Sequence, residues 1–253
     1  MTITSPGLSR PRLGQDVPLL TGTAAALGVL SILLAFALLS DGRSLDAENV
    51  WLKPLKFSVA LGLYCATLAF SACLLPSTVL RSRGMRRYLI LVVACILAEQ
   101  AWVTVAAASG LRSHYNQAQP LLTAIYPAMG LAAFVLTTAA GVFGWHILRA
   151  GWGEVERAVG WSFLATFALT VPIAFTLSGM PVTAPGLPPF GWTLLPGDLR
   201  PAHFLATHAM QAVPLAAIAL ATLRPLPYGT GAVLTAAWSA LTLGAAAYGL
   251  GLL

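Results

Sequence analysis

Seven long apolar stretches, separated by short segments that hold most of the charged residues, dominate the hydrophobic and polar pattern of this chain. They occupy approximately residues 18–40, 54–76, 88–110, 120–148, 158–179, 201–224 and 230–253. A helix of about 20 apolar residues crosses the roughly 30 Å hydrocarbon layer of a bilayer. These stretches do not alternate as the strands of a membrane barrel do. The pattern predicts an all-α membrane protein, with a seven-helix transmembrane domain (18–253) after a tail of residues 1–17.

Composition supports the same class. Of the 253 residues, 58% are hydrophobic and only 9% are charged, whereas soluble domains carry about 25% charged residues. So much apolar surface requires a lipid solvent, because a water-soluble fold could not bury it. Membrane lipid is therefore the first expected partner.

The distribution of Lys and Arg predicts the orientation, because cytoplasmic segments carry the excess of positive charge. The tail and every second connection hold Arg10, Arg12, Arg81, Arg83, Arg86, Arg87, Arg149, Arg157 and Arg224. The other side holds Arg43, Lys53, Lys56, Arg112 and Arg200. We therefore expect a cytoplasmic N-terminus and an extracytoplasmic C-terminus. We interpret Arg81–Arg87, expected to form a tight turn, as a topology anchor rather than a nucleic-acid or phosphoinositide site, and we expect no nucleic-acid partner.

On the predicted outer side, polar residues gather in three segments, the first of which opens the second span. Lys53 and Lys56 are three residues apart and share a helical face. Cations at a helix N-terminus oppose the helix dipole, and positive charge outside opposes the topology rule. The pair therefore indicates an anionic ligand, although snorkelling of both lysines to lipid headgroups explains it equally well.

The second segment is the end of the third span. Glu99 is expected about 16 Å below the outer surface, where a carboxylate must be paired, protonated or facing water. Arg112 and His114 follow at the helix exit. An ionisable residue at such depth marks a functional site by default. A structural partnership with a neighbouring Lys, His or Gln is the alternative.

The third segment precedes and enters the sixth span. Asp198 or a near neighbour is expected to cap this helix, and Pro201 fits its first turn. Arg200 and His203 lie at the mouth, and His208 and Gln211 lie progressively deeper. If the three segments converge, they form one outward-facing polar pocket, with Lys53, Lys56, Arg112, Asp198, Arg200 and Gln211 as substrate-binding residues.

The chemistry of this pocket stays open at the sequence level. His114, His203 and His208 could hold zinc and activate a water molecule, with Glu99 as ligand or base. However, His203 and His208 are five residues apart, about 140° around a helix. Three histidines hydrogen-bonding in a wet cavity is the competing interpretation. Haem fits less well, because His208 has no evident axial partner and His146 lies near the opposite membrane face.

The motifs of these segments carry a resemblance. They are Asn-x-Trp-x-Lys-Pro-x-Lys-Phe at 49–57, Arg-Ser-His-Tyr-Asn at 112–116, and Gly-Asp-Leu-Arg-x-x-His-Phe-x-x-x-His-x-x-Gln at 197–211. Together with Pro-Gly-Leu-Pro-x-x-Gly-Trp at 185–192, they resemble a family of uncharacterised bacterial integral membrane proteins. The resemblance implies a shared seven-helix architecture and site in the bacterial cytoplasmic membrane, but no reaction.

Three functional classes follow. The sequence favours a membrane-embedded hydrolase of a lipid or other amphiphile, with or without a metal ion, in which Glu99, His114 and His208 act as catalytic residues. A proton-coupled carrier that uses Glu99 is the second class. The sequence favours it less, because it shows no paired inverted repeats and no polar residues that continue to the cytoplasmic side. A non-catalytic binding or sensing protein for an anionic ligand is the third. All three place a small-molecule or lipid ligand on the outer side.

Overall fold

The structure, a computed structural model, describes residues 17–45, 48–113, 120–151, 153–180, 186–187 and 191–253. Eight α-helices lie in these residues: α1 (Pro18–Ser40), α2 (Leu52–Ser71), α3 (Ser77–Leu80), α4 (Arg83–Ala108), α5 (Pro120–Arg149), α6 (Glu154–Ser178), α7 (Arg200–Leu223) and α8 (Thr230–Gly249). All except the four-residue α3 are long and apolar enough to cross a membrane. The prediction of a helical protein with seven candidate spans is therefore confirmed.

The predicted turn around Arg81–Arg87 is wrong for most of its length. The sequence placed the third span at about residue 88, but α4 begins at Arg83. Ser82 caps this helix, because its hydroxyl accepts a hydrogen bond from the amide of Met85 at 3.1 Å. Arg83, Arg86 and Arg87 consequently lie on the first turns of α4.

A short β-hairpin between α1 and α2 was not predicted. Strand β1 (Ser44–Leu45) pairs antiparallel with β2 (Glu48–Asn49). The Asn49 side chain donates a 2.6 Å hydrogen bond to the carbonyl of Asp41, and its side-chain oxygen accepts from the amide of Trp51 at 2.8 Å. These bonds hold the connection close to the end of α1.

The chain forms two compact units. The first comprises Gly14–Phe70 and Ser82–Leu136 and is called the α1–α4 unit after α1, α2 and α4, although α3 is not part of it. Within it, the buried Ser58 hydroxyl donates to the carbonyl of Leu27 at 2.8 Å, and the Tyr64 hydroxyl donates to the carbonyl of Leu136 at 2.6 Å. Side chains of α2 therefore bind backbone carbonyls of α1 and α5, as is common where no water competes.

The second, the α6–α8 unit, contains Ser71–Arg81 and Thr137–Leu253 among its described residues. One close crossing in this unit brings α5 against α6. A Cβ atom at Gly144 would lie 2.7 Å from the carbonyl oxygen of Gly160, and one at Gly160 would lie 2.7 Å from the Leu148 side chain. These two glycines permit a close approach of the helix backbones.

Candidate functional site

Glu99 is the buried carboxylate of the α1–α4 unit. It lies on α4, nine residues before Ala108 at the helix end, which corresponds to about 14 Å along the axis. Its exposed fraction is 4%. Among the described residues, no hydrogen bond and no ion pair within 4.0 Å involves its carboxylate. A carboxyl group in this environment must be neutral or balanced by a more distant charge.

Lys53 is the cation that acts on Glu99. The next residue along α4, Gln100, donates from its side-chain nitrogen to the carbonyl of Pro54 at 3.3 Å and to the hydroxyl of Thr104 at 3.0 Å. The bond to Pro54 places the first turn of α2 beside α4 at the level of Glu99. Lys53 and Glu99 are accordingly close enough for their charges to interact. The start of α2 and the middle of α4 therefore lie side by side within this unit, whereas their role in one ligand site stays a prediction.

The two lysines of α2 have different surroundings. The Lys56 Nζ atom lies 3.8 Å from a carboxylate oxygen of Glu48 on the hairpin. The Lys53 Nζ atom lies 6.0 Å from the centre of the Phe57 ring. Lys56 is therefore partly neutralised at the surface, whereas Lys53 is the lysine associated with the buried acid.

A polar network at the hairpin was missed by the sequence analysis. Asp41 accepts hydrogen bonds from the Arg43 guanidinium, the shortest at 2.7 Å, and from the Trp51 indole at 2.8 Å. Arg43 also donates to the carbonyl of Ala108 at 2.9 Å, which ties the hairpin to the end of α4. The Arg43 side chain, followed by the Trp51 indole, holds the pKa of Asp41 well below its usual value.

Arg112 and His114 follow α4. Arg112 is exposed just beyond the helix end, and the adjacent Ser113 carbonyl accepts a 2.7 Å hydrogen bond from the Trp102 indole. His114 lies outside the described residues. Its assignments as a catalytic residue and as a metal ligand therefore stay predictions.

In the α6–α8 unit, Asp198 and Arg200 form a close ion pair. Arg200 binds both carboxylate oxygens at 2.8 Å, and the Thr193 amide donates to the same group at 2.7 Å. Burial tends to raise the pKa of Asp198, but the hydrogen bonds from Arg200 and Thr193 outweigh it and leave the pKa below its usual value. Asp198 also accepts from the Arg200 amide at 2.9 Å. The expected side-chain cap is not formed, because the N-cap residue of α7 is Leu199, which makes no capping hydrogen bond.

The histidines of α7 are both half-buried. The His208 ring lies 4.2 Å from the Phe204 ring, which lies 5.0 Å from the Trp192 ring. Trp192, Phe204 and His208 therefore form an aromatic column, which the sequence analysis did not foresee because Trp192 lies in an irregular loop. Gln211, also half-buried, lies one turn further along α7 than His208.

The metal hypothesis gains no support from the described residues. No group of three His, Cys, Asp or Glu side chains among them could hold an ion. The predicted zinc site also requires His114, which lies outside this set, so the zinc site stays a prediction. Haem ligation by His208 likewise stays a prediction.

The predicted site residues divide between the two units. Lys53, Lys56, Glu99 and Arg112 belong to the α1–α4 unit, and Asp198, Arg200, His203, His208 and Gln211 belong to the α6–α8 unit. The convergence of all three polar segments therefore stays a prediction. Comparisons with protein-family models, with curated proteins and with solved structures found no match.

Proposed function

We propose that the protein is a proton-coupled carrier that moves a small monoanion across the bacterial cytoplasmic membrane and takes up one proton at Glu99 with each anion. The observation that carries this proposal is the surroundings of Glu99. The residue is 4% exposed, its carboxyl group forms no hydrogen bond or ion pair with another described residue, and its charge interacts with that of Lys53. Ionisable residues of this kind often serve as proton carriers in transporters.

The opposite charges of Lys53 and Glu99 supply a coupling mechanism. When Glu99 binds a proton, the negative charge of Glu99 no longer acts on Lys53, in a medium where unbalanced charge is costly. An anion then takes the place of the Glu99 charge near Lys53. When the anion leaves, Glu99 releases its proton and restores the balance. Binding of the proton and of the anion thus favour each other, as linkage requires.

This proposal replaces the hydrolase as the first choice for a geometric reason. A hydrolytic base must reach a nucleophile or a water molecule at hydrogen-bond distance. Among the described residues, no side-chain hydroxyl, thiol or imidazole is hydrogen-bonded to Glu99. The buried carboxyl group is better suited to holding a proton than to activating a nucleophile.

The hydrolase of a lipid or other amphiphile is the second candidate. The observation that favours it is the aromatic column of Trp192, Phe204 and His208, since aromatic rings offer an apolar contact surface beside an imidazole. In this alternative, His208 and His114 are the catalytic groups, and a zinc ion contributes if His114 completes its ligand set.

Replacing Glu99 by Gln tests the carrier. Purified protein in liposomes is expected to accumulate at least one member of a panel of monocarboxylates and inorganic phosphate when an inward proton gradient is imposed. Because one proton accompanies one monoanion, an imposed membrane potential alone should not drive uptake. Glu99→Gln should abolish gradient-driven accumulation, because it removes the proton site. Difference infrared spectra should also lose the carbonyl band of a protonated carboxylic acid.

The matched control is Glu156→Gln, which changes a half-buried glutamate in the first turn of α6. It should leave both the uptake and the carboxylic acid band unchanged. Full gradient-driven uptake by Glu99→Gln would refute the carrier proposal. Release of fatty acid from liposomal lipid by the wild type, lost in His208→Ala, would instead establish the hydrolase.

The membrane orientation and the family membership belong to the same set of proposals. We infer a cytoplasmic N-terminus, seven crossings and an extracytoplasmic C-terminus from the nine-to-five distribution of Lys and Arg. Membership in the bacterial family rests on the motifs at 49–57, 112–116 and 197–211. In this arrangement, Lys53 receives the anion and Glu99 receives the proton from the outer side.

A further inference from the structure

Three arginines lie on the first two turns of α4, outside the proposed carrier site. Arg83, Arg86 and Arg87 are all exposed. Residues three and four positions apart on a helix are neighbours, so the three guanidinium groups share one side of the helix. Each arginine can offer a planar set of donors to the oxygen atoms of a phosphate group.

The same side of α4 continues as an apolar surface. Ile90 and Leu91 follow within one turn and are each 51% exposed, and further along the helix Val105 is 58% exposed. The opposite side packs into the protein, as shown by Met85 at 7% and Leu89 at 6% exposure. In a membrane, the exposed apolar side contacts acyl chains. The arginines therefore lie at the membrane-interface end of a lipid-facing surface.

The described carboxylates of the α1–α4 unit do not balance these charges. Asp41 and Glu48 belong to the hairpin region, and Arg43 ties that region to the opposite end of α4. Glu99 is buried and lies twelve residues beyond Arg87, which corresponds to about 18 Å along the helix. Cations at a helix N-terminus also oppose the helix dipole. The arginines therefore do not stabilise α4 by themselves.

We propose that Arg83, Arg86 and Arg87 bind the phosphate headgroup of an anionic phospholipid whose acyl chains lie along Ile90 and Leu91. A headgroup at the membrane surface and chains below it match the order of charged and apolar residues along this side of α4. The sequence alone indicates only a topology anchor for these arginines. This site depends on the membrane location of α4 and is independent of the chemistry of Glu99.

Native mass spectrometry of the detergent-purified protein tests this site with two probes, phosphatidylglycerol and phosphatidylcholine of identical acyl chains. In detergent, an effect on membrane orientation cannot mimic a loss of binding. The wild type should retain phosphatidylglycerol in preference to phosphatidylcholine. Each arginine is expected to contribute about fivefold to affinity, as basic residues at anionic membrane surfaces do. The variant R83Q/R86Q/R87Q should therefore lose about a hundredfold.

The matched control is Arg224→Gln, which removes an exposed arginine at the end of α7 and should retain the lipid fully. If the triple variant fails to fold, Arg87→Gln alone should lower phosphatidylglycerol binding about fivefold. Excess inorganic phosphate should not displace the lipid, because it offers nothing to the apolar surface. Equal retention of the two lipids, displacement by free phosphate, or undiminished binding by the folded variants would overturn the proposal.

Discussion

Asp41 shows how much a single surface residue can organise in this protein. Its carboxylate accepts hydrogen bonds from the guanidinium and the amide of Arg43 and from the indole of Trp51. Arg43 in turn binds the last carbonyl of α4. The charge of Asp41 therefore supports a chain of contacts that joins the end of α1, the hairpin and α4.

Asp41→Asn is expected to lower the unfolding temperature at neutral pH, since it removes the charge that Arg43 binds. The folded-state pKa of Asp41 lies below its ordinary value of 3.8. Its stabilising effect is therefore complete above about pH 4 and disappears as the pH falls through the folded-state pKa. The difference in unfolding temperature between wild type and variant, measured in detergent, should shrink in acid. A pH-independent difference would show that the charge is not responsible.

Individual site residues could be predicted from the sequence only where a residue type is unusual for its position in, or just before, an apolar helix. Glu99 stood out because a carboxylate is rare in an apolar run, and Asp198 because it precedes a helix that begins with Arg-Pro. Asp41 and Glu48 gave no such signal. Their contacts depend on a hairpin with two-residue strands, which is too short to show a periodic pattern.

Individual helices were predicted well, because long apolar runs bounded by polar residues have few alternative structures in a membrane. The predicted start at residue 18 and end at residue 40 match α1 (Pro18–Ser40). The predicted start of α4 is five residues late, because a hydropathy pattern assigns the arginines before the apolar run to a loop. The helix in fact begins directly after its N-cap residue Ser82, and hydropathy alone does not detect such a cap.

The crossing of α5 and α6 gives a prediction at the scale of helices. Gly144→Ala should destabilise the protein by about 1–3 kcal/mol, the usual cost of overpacking, since the new Cβ would meet the backbone of Gly160 at 2.7 Å. Gly130→Ala on the same helix is the control, because no atom outside its chain neighbours and the adjacent backbone of its own helix lies within 4 Å of its Cβ position. Alanine favours helices, so the control should be neutral or stabilising. Thermal unfolding of both variants provides the measurement.

At the scale of the whole molecule, the seven candidate spans among the described residues place Val17 and Leu253 on opposite sides of the membrane if each span crosses once. A C-terminal fusion to alkaline phosphatase should be active, because that enzyme folds outside the cytoplasm, whereas a C-terminal fluorescent protein that matures only inside should be dark. Fusions at the N-terminus should give the reverse result. An active phosphatase at neither end, or at both ends, would exclude the odd number of crossings.

The division into two units was not predicted, because hydropathy identifies spans but not which spans pack together. The α6–α8 unit is held by helix contacts such as the hydrogen bond from the Trp238 indole to the carbonyl of Leu205, at 2.8 Å. Contacts of this kind depend on side-chain direction and helix rotation. A single sequence does not reveal these, so the convergence of the polar segments could not be derived either.

Helix α5 contributes its residues up to Leu136 to one unit and its residues from Thr137 onward to the other. A single cut in the chain therefore cannot separate the two units with both intact. A fragment that stops at Leu136 keeps only 17 residues of α5, about 25 Å of helix, which is too short to traverse the hydrocarbon layer upright. Efforts to express the halves separately should duplicate this helix in both pieces.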